Sequence, residues 1–235
     1  MKFKKAHWMV IWLALSAILV FSEAGYADIL APGSGASLPD VFAGCAGCTL
    51  LASLNTGPVT SSFNGLVLSF DLVSAVYADP SNTFGAGDLD FMYEVTNLAT
   101  STDSIGRLSA INFSGFATDV GYTTAGASLP GGLFVNGSTA PGLVDRNTAS
   151  TVGFGFAVPP LSALVPPDQA STVLIIETDA TKFRSGQASV IDGQATTVDA
   201  FGPAGTTVTP EPSSLLLLGT GLLTVVGTLR RKLFN

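Results

Sequence analysis

Apolar and polar residues alternate with a period of two through much of the middle of the chain, the pattern of strands with one buried face. Phe91, Tyr93 and Val95 alternate with Met92, Glu94 and Thr96, and Val152, Phe154, Phe156 and Val158 alternate with Gly153, Gly155 and Ala157. Two stretches, Gly65 to Tyr77 and Ser171 to Thr178, are denser in Val, Ile, Leu and Phe and predict strands buried more deeply. Shorter strand candidates lie at Ile105 to Phe116, Leu133 to Val135, Ala188 to Ile191 and Thr196 to Phe201. Turn residues separate them: Asp79-Pro80-Ser81-Asn82, Leu129-Pro130-Gly131-Gly132, Ala140-Pro141-Gly142, Val165-Pro166-Pro167-Asp168 and Asp192-Gly193. No stretch of this region sustains a helical period. The pattern predicts an all-β fold, a single antiparallel β-sandwich of about seven to ten strands.

The two ends follow a different pattern. Lys2, Lys4 and Lys5 precede a mostly apolar run from Trp8 to Phe21, and Gly25-Tyr26-Ala27 then supplies small residues. This is the layout of a secretory signal peptide, with cleavage after Ala27 as the first choice and Ala24 as the second. At the other end, Pro210-Glu211-Pro212 is followed by an uncharged stretch, Ser213 to Leu229, and then by Arg230-Arg231-Lys232. As a helix that stretch spans roughly 26 Å, at the short end of what crosses a bilayer. It predicts a single transmembrane helix, with the basic cluster as a cytoplasmic stop. Both ends keep their basic residues in the cytoplasm, so the region between them lies outside it. The expected layout is a signal peptide at 1–27, an exported β-sandwich domain at 28–201, a spacer at 202–208 and a sorting segment at 209–235.

The C-terminal segment resembles the PEP-CTERM sorting signal. The matching features are Pro210-Glu211-Pro212, the run Leu215-Leu216-Leu217-Leu218 with Gly219 and Gly221, and the closing Arg230-Arg231-Lys232. The resemblance covers about an eighth of the chain. It is specific because motif, apolar span and basic end occur together. It implies a protein of a Gram-negative bacterium that makes extracellular polysaccharide. It also implies recognition and cutting by an exosortase-type integral-membrane protease, with the cell surface or the polysaccharide matrix as destination. A permanent membrane anchor is the alternative; the short span and the Gly/Thr-rich spacer favour a removable one.

Removing the ends changes the charge. The chain has 10 basic and 17 acidic residues. Between 28 and 208 only Arg107, Arg146, Lys182 and Arg184 face fifteen acids, a net charge of −11. Nucleic acid is therefore excluded as a partner, because neutralising phosphates requires a basic surface. Such a surface does attract divalent cations.

Candidate chemistry is sparse. The one histidine, His7, lies in the signal peptide, which removes Ser-His-Asp and Cys-His catalysis in their usual forms from the exported region. Cys45-Ala46-Gly47-Cys48 has three readings: a local disulfide, free thiols, or a redox pair. The compartment outside the cytoplasm favours the disulfide, and the pair supplies only two of the four ligands of a structural zinc. Asp79, Asp88 and Asp90 place carboxylates around a Gly-rich loop, an arrangement able to hold Ca²⁺, although the spacing matches neither an EF-hand loop nor the Gly-rich nonapeptide repeat and ordinary turn acids flanking the Phe91 strand are the favoured reading. Most Phe residues occupy strand positions and are expected in the core; Tyr122 is the best candidate for an exposed sugar-stacking ring. Fifteen acids do not single out a catalytic pair. The leading expectation is a non-enzymatic structural or adhesive protein without cofactor. A carbohydrate- or Ca²⁺-binding module and a carboxylate-based hydrolase are the alternatives.

Overall fold

The computed structural model describes residues 28–37, 39–42, 44–45, 47–158 and 161–205. The signal-peptide segment at 1–27, the end of the spacer and the whole sorting segment at 209–235 lie outside them. Three short strands come first, β1 (Asp28–Ile29), β2 (Gly35–Ser37) and β3 (Asp40–Val41). Next are β4 (Thr49–Asn55), β5 (Val59–Phe63), the 14-residue β6 (Leu66–Asp79) and β7 (Asp88–Asn97). β8 (Arg107–Ala110) and β9 (Thr118–Thr123) precede a 3-10 turn at Gly126–Ser128. Then follow β10 (Leu143–Arg146), β11 (Val152–Gly155), β12 (Ala157–Val158), β13 (Leu161–Ser162) and β14 (Gln169–Ala170). The last three are β15 (Val173–Thr178), β16 (Phe183–Asp192) and β17 (Gln194–Pro203).

The described residues are all-β apart from one 3-10 turn, with two main sheets. The larger has nine strands, ordered β1-β9-β15-β7-β6-β4 with β3, β5 and β14 attached at its margins. The smaller has six, ordered β17-β16-β8-β11-β10-β2, and β12 and β13 pair by themselves. Every strand pairing is antiparallel except that of β3 with β9.

The main core lies between the sheets. The larger sheet contributes Phe70, Leu72, Val76, Phe91, Tyr93, Val95, Leu174 and Ile176, and the smaller contributes Leu108, Val144, Val152, Phe154, Ala188 and Val190. Phe91 meets Phe113 edge to face, with ring centroids 5.7 Å apart. The smaller sheet keeps a one-faced pattern. Val152 and Phe154 enter the core, while Gly153 lies beneath the guanidinium of Arg107, where a Cβ would collide. Arg107 reaches across that glycine to Asp145 with a two-pronged contact of 2.5 and 2.6 Å.

The larger sheet departs from the one-faced pattern. Residues of β6, β7 and β15 that alternate with the core positions, namely Val73, Ala75, Tyr77, Met92, Val173 and Ile175, form a second apolar cluster on its opposite face. Cys48, Leu129 and Phe134 close over it, with Phe42, Cys45, Leu50 and Leu133 packed alongside. Period-two alternation assigns Met92 and Glu94 to solvent, yet both are buried.

Other differences have local causes. The described residues form seventeen strands against the seven to ten expected, and six of them, β1, β2, β3, β12, β13 and β14, are only two or three residues long, too short to show alternation. The candidate at 105–116 yields only β8; Asn112 and Gly115, each at φ +83°, turn the chain out of the sheet. Leu133 to Val135 forms no strand, since its backbone serves a buried carboxylate instead. At the C-terminal end β17 includes Gly202 and Pro203, paired with Arg184 and Phe183, although composition places both in the spacer. Tyr122 is half-buried and packs against the main core.

Candidate functional site

The covered face of the larger sheet gathers buried acids at one end, Asp79, Asp90 and Glu177 on β6, β7 and β15, with Asp119 of β9 opposite Glu177. Strand register places them together: Asp90 of β7 lies directly opposite Glu177 of β15 and opposite Tyr77 of β6, two residues before Asp79. Asp79, Asp90 and Glu177 are 3%, 1% and 5% exposed, so water does little to separate their charges. Like charges directly opposite each other in a sheet destabilise it unless something neutralises them. No Lys or Arg among the described residues makes an ion pair with any of the three; the ion pair of the described residues is Arg107–Asp145 on the other sheet.

The loop between β6 and β7 organises these acids. Asp79 Oδ1 accepts hydrogen bonds from the Ser81 backbone N–H and hydroxyl, both at 2.7 Å. Asn82 donates from Nδ2 to Asp90 Oδ1 at 2.8 Å and to the Thr178 carbonyl at 3.3 Å. The Thr83 N–H donates to Glu177 Oε2 at 3.0 Å. The Asp79 carbonyl accepts from the Gly87 N–H at 2.7 Å, and Gly87, at φ +90°, lets the loop close. Burial, followed by the charges of Glu177 and Asp79, pushes the Asp90 carboxyl up to about 9, so it is protonated at neutral pH. Burial also raises Glu177, with the hydrogen bonds from Thr83 opposing.

Cys45 and Cys48 sit against the same corner. Thr49 pairs with Ala78, so one residue further along the register Cys48 comes opposite Asp79. Cys45 and Cys48 are joined as a disulfide, with Cα atoms 5.5 Å apart. Gly47, at φ +86°, supplies the left-handed residue of the tight turn. The Sγ atoms and one carboxylate oxygen each from Asp79 and Asp90 lie within 4.8 Å of one another, and only Cys45 is more than marginally exposed. Of the three carboxylates read from the sequence, Asp79 and Asp90 join this group and Asp88 does not. Asp88 pairs with Asp79 across the hairpin, and its carboxylate lies over Gly85 instead.

Another acid on the same face, Glu94, is treated differently. Its carboxylate accepts the backbone N–H groups of Val135, Asn136 and Gly137 at 2.6, 2.9 and 3.1 Å. Burial raises its pKa and these three donors oppose the shift. The Glu94 position reads as exposed in sequence, and Glu177 and Asn82 carried no motif. An acid inside the dense apolar run at Ser171 to Thr178 was the available signal for Glu177.

A separate cleft of about 370 Å³ opens where β4 and the start of β5 approach β16 and β17. Asn55, Thr56, Gln187, Thr197 and Asp199 give it polar walls, with Leu54, Val59 and Val198 between them. No aromatic ring lines it. Among the described residues no helix is long and apolar enough to cross a membrane.

Fold and site together define an all-β domain of two sheets, with an acid- and cysteine-lined corner. The family model for the PEP-CTERM protein-sorting motif matches residues 208–232, so the chain carries that sorting motif. The match takes in Pro210, Glu211 and Pro212 and the basic end Arg230, Arg231 and Lys232, all outside the described residues. The motif implies export, processing by an exosortase-type membrane enzyme and sorting to the cell surface. No curated protein and no solved structure matches the chain.

Proposed function

We propose that the chain is a non-enzymatic exported protein, carried by its signal peptide and sorting motif to the cell surface or the extracellular polysaccharide matrix, where its β domain has a structural or adhesive role. The observation that carries this reading is the sorting motif at 208–232. A stable domain needs no catalytic centre for such a role, and its acidic surface keeps it soluble outside the cell. Mass spectrometry of the protein recovered from extracellular material tests the route. The expected mature C-terminus lies upstream of the apolar run at 213–229; a chain still ending at Asn235 overturns it.

The polar cleft favours a second reading, a glycan-binding module. Asn55, Gln187 and Asp199 offer the amide and carboxylate groups that hydrogen-bond sugar hydroxyls. Calorimetry with the producer's own polysaccharide distinguishes the two: heat that disappears on Asp199→Ala supports the module, and no heat leaves the structural role.

A further inference from the structure

The cysteine turn and the acid corner are separated by about 30 residues of sequence and meet at the end of β6. Neither suffices alone as a cation site. Two thiols provide half of a tetrahedral shell, and buried acids are common without an ion. Together they provide four donors of two kinds. We propose that Cys45, Cys48, Asp79 and Asp90 form a binding site for a thiophilic divalent cation of the zinc class, filled when the two cysteines are thiols. The site does not depend on the sorting route.

Three observations support this assignment. First, the four donor atoms already lie within 4.8 Å of one another. A zinc-like ion bonded to sulfur at about 2.3 Å and oxygen at about 2.0 Å needs donors roughly 3–4 Å apart. The carboxylate oxygens already lie within reach of the sulfurs, and the two sulfurs move apart toward that spacing once the disulfide is reduced. Second, the donors are held from outside. Ser81 fixes one Asp79 oxygen and Asn82 fixes one Asp90 oxygen, so the supporting contacts for carboxylate ligands are present. Third, Asp79, Asp90 and Glu177 are buried together, and none of them makes an ion pair with a cationic side chain among the described residues. Two sulfur donors select against Ca²⁺ and Mg²⁺, which take oxygen ligands, and for zinc-class ions.

Metal and disulfide are alternative states of the same pair, since a sulfur bonded to its neighbour is no longer a thiolate ligand. The chain is synthesised with two thiols. A cation that fills the site displaces the protons held by its thiol and carboxyl ligands to water and withholds the sulfurs from oxidation. Half-buried Cys45 marks the side from which the ion enters.

The test uses the whole exported protein. A phosphine reduces the disulfide, giving two thiols and the phosphine oxide with oxygen taken from water. Excess reductant is then removed and Co²⁺ is titrated in under anaerobic conditions. One Co²⁺ per chain is expected, with a thiolate-to-cobalt charge-transfer band and tetrahedral d–d bands, both reversed by Zn²⁺. The unreduced protein should show neither. Asp79→Asn and Asp90→Asn should each weaken Co²⁺ binding at least 10-fold, and Cys45→Ser should abolish the charge-transfer band expected of a two-thiolate site. Far-UV circular dichroism identifies folded variants, and either carboxylate variant suffices if the other does not fold. The proposal is overturned if the reduced wild type binds no Co²⁺, or if a folded carboxylate variant binds as tightly as wild type.

Discussion

The two sheets handle charge in opposite ways. The smaller sheet buries one face, and the charges on its other face stay near water: Arg107 and Asp145 pair with side chains 29% and 35% exposed. The larger sheet buries both faces, so every acid on its outer side needs a partner inside the protein. Glu94 finds three backbone N–H donors. Four residues earlier on the same strand, Asp90 finds Glu177 and Asp79. The same residue class on one strand is therefore an anchor at one end and a liability at the other. The difference follows from which loop covers each position. Residues 133–137 bring backbone donors, whereas the turn at 45–48 brings sulfur.

The comparison breaks most severely at Glu94. Replacing it with Ala leaves three N–H groups facing a buried void, and the loop they belong to also carries Phe134 of the second cluster. Glu94→Ala is expected to cost about 3–5 kcal/mol in urea or guanidinium unfolding. Glu94→Gln keeps an acceptor oxygen and should cost much less. Equal losses in the two variants would show that packing, not hydrogen bonding, sets the value.

Asp90 should respond with the opposite sign. Its carboxyl is held protonated up to about 9, against an ordinary value near 3.8. Between those limits the folded protein binds more protons than the unfolded chain, so stability falls as pH rises. The contribution is complete below about pH 4 and is lost as pH climbs through about 9. Asp90→Asn keeps the shape, offers an amide N–H toward Asp79 and removes the titration. In the disulfide-bonded, metal-free protein it should raise stability at pH 7 by roughly 1–3 kcal/mol and flatten the pH profile from 5 to 9. A variant less stable than wild type throughout that range would refute the crowding account. A gain in stability together with a loss of Co²⁺ binding would also separate the ligand role of Asp90 from its role in folding.

The contrast between the sheets explains how much of the molecule was legible in advance. Val152 and Phe154 announce a one-faced strand because nothing covers the other side. Met92 and Glu94 give the same period-two signal, yet they are buried by segments far away in sequence, which local alternation does not register. The acid corner was hidden for the same reason. Asp79 and Asp90 drew attention through the Gly-rich loop between them, but Glu177 and Cys48 reach them only through strand register. The sorting signal was legible because its apolar length and terminal charges answer to the membrane, a partner whose thickness is fixed. It needs no tertiary contact to be read.

The smallest effect belongs to the smaller sheet. Arg107 and Asp145 make good two-pronged geometry, but nearby water and salt screen the attraction, and exposed pairs contribute about 0–1 kcal/mol. Arg107→Met retains an apolar side chain over Gly153 and removes the charge. It should cost less than about 1 kcal/mol at low salt, and the cost should shrink further by 1 M salt, where charges interact over only about 3 Å. The cost of Glu94→Ala should barely change over the same range, because the Glu94 carboxylate is buried and is held by short backbone hydrogen bonds rather than by a screened surface charge. If Arg107→Met instead costs as much as Glu94→Ala, or if both losses fade together with salt, the two sheets do not differ in how they treat charge. The outer face of the larger sheet would then be wetter than the burial of Glu94, Asp90 and Met92 requires.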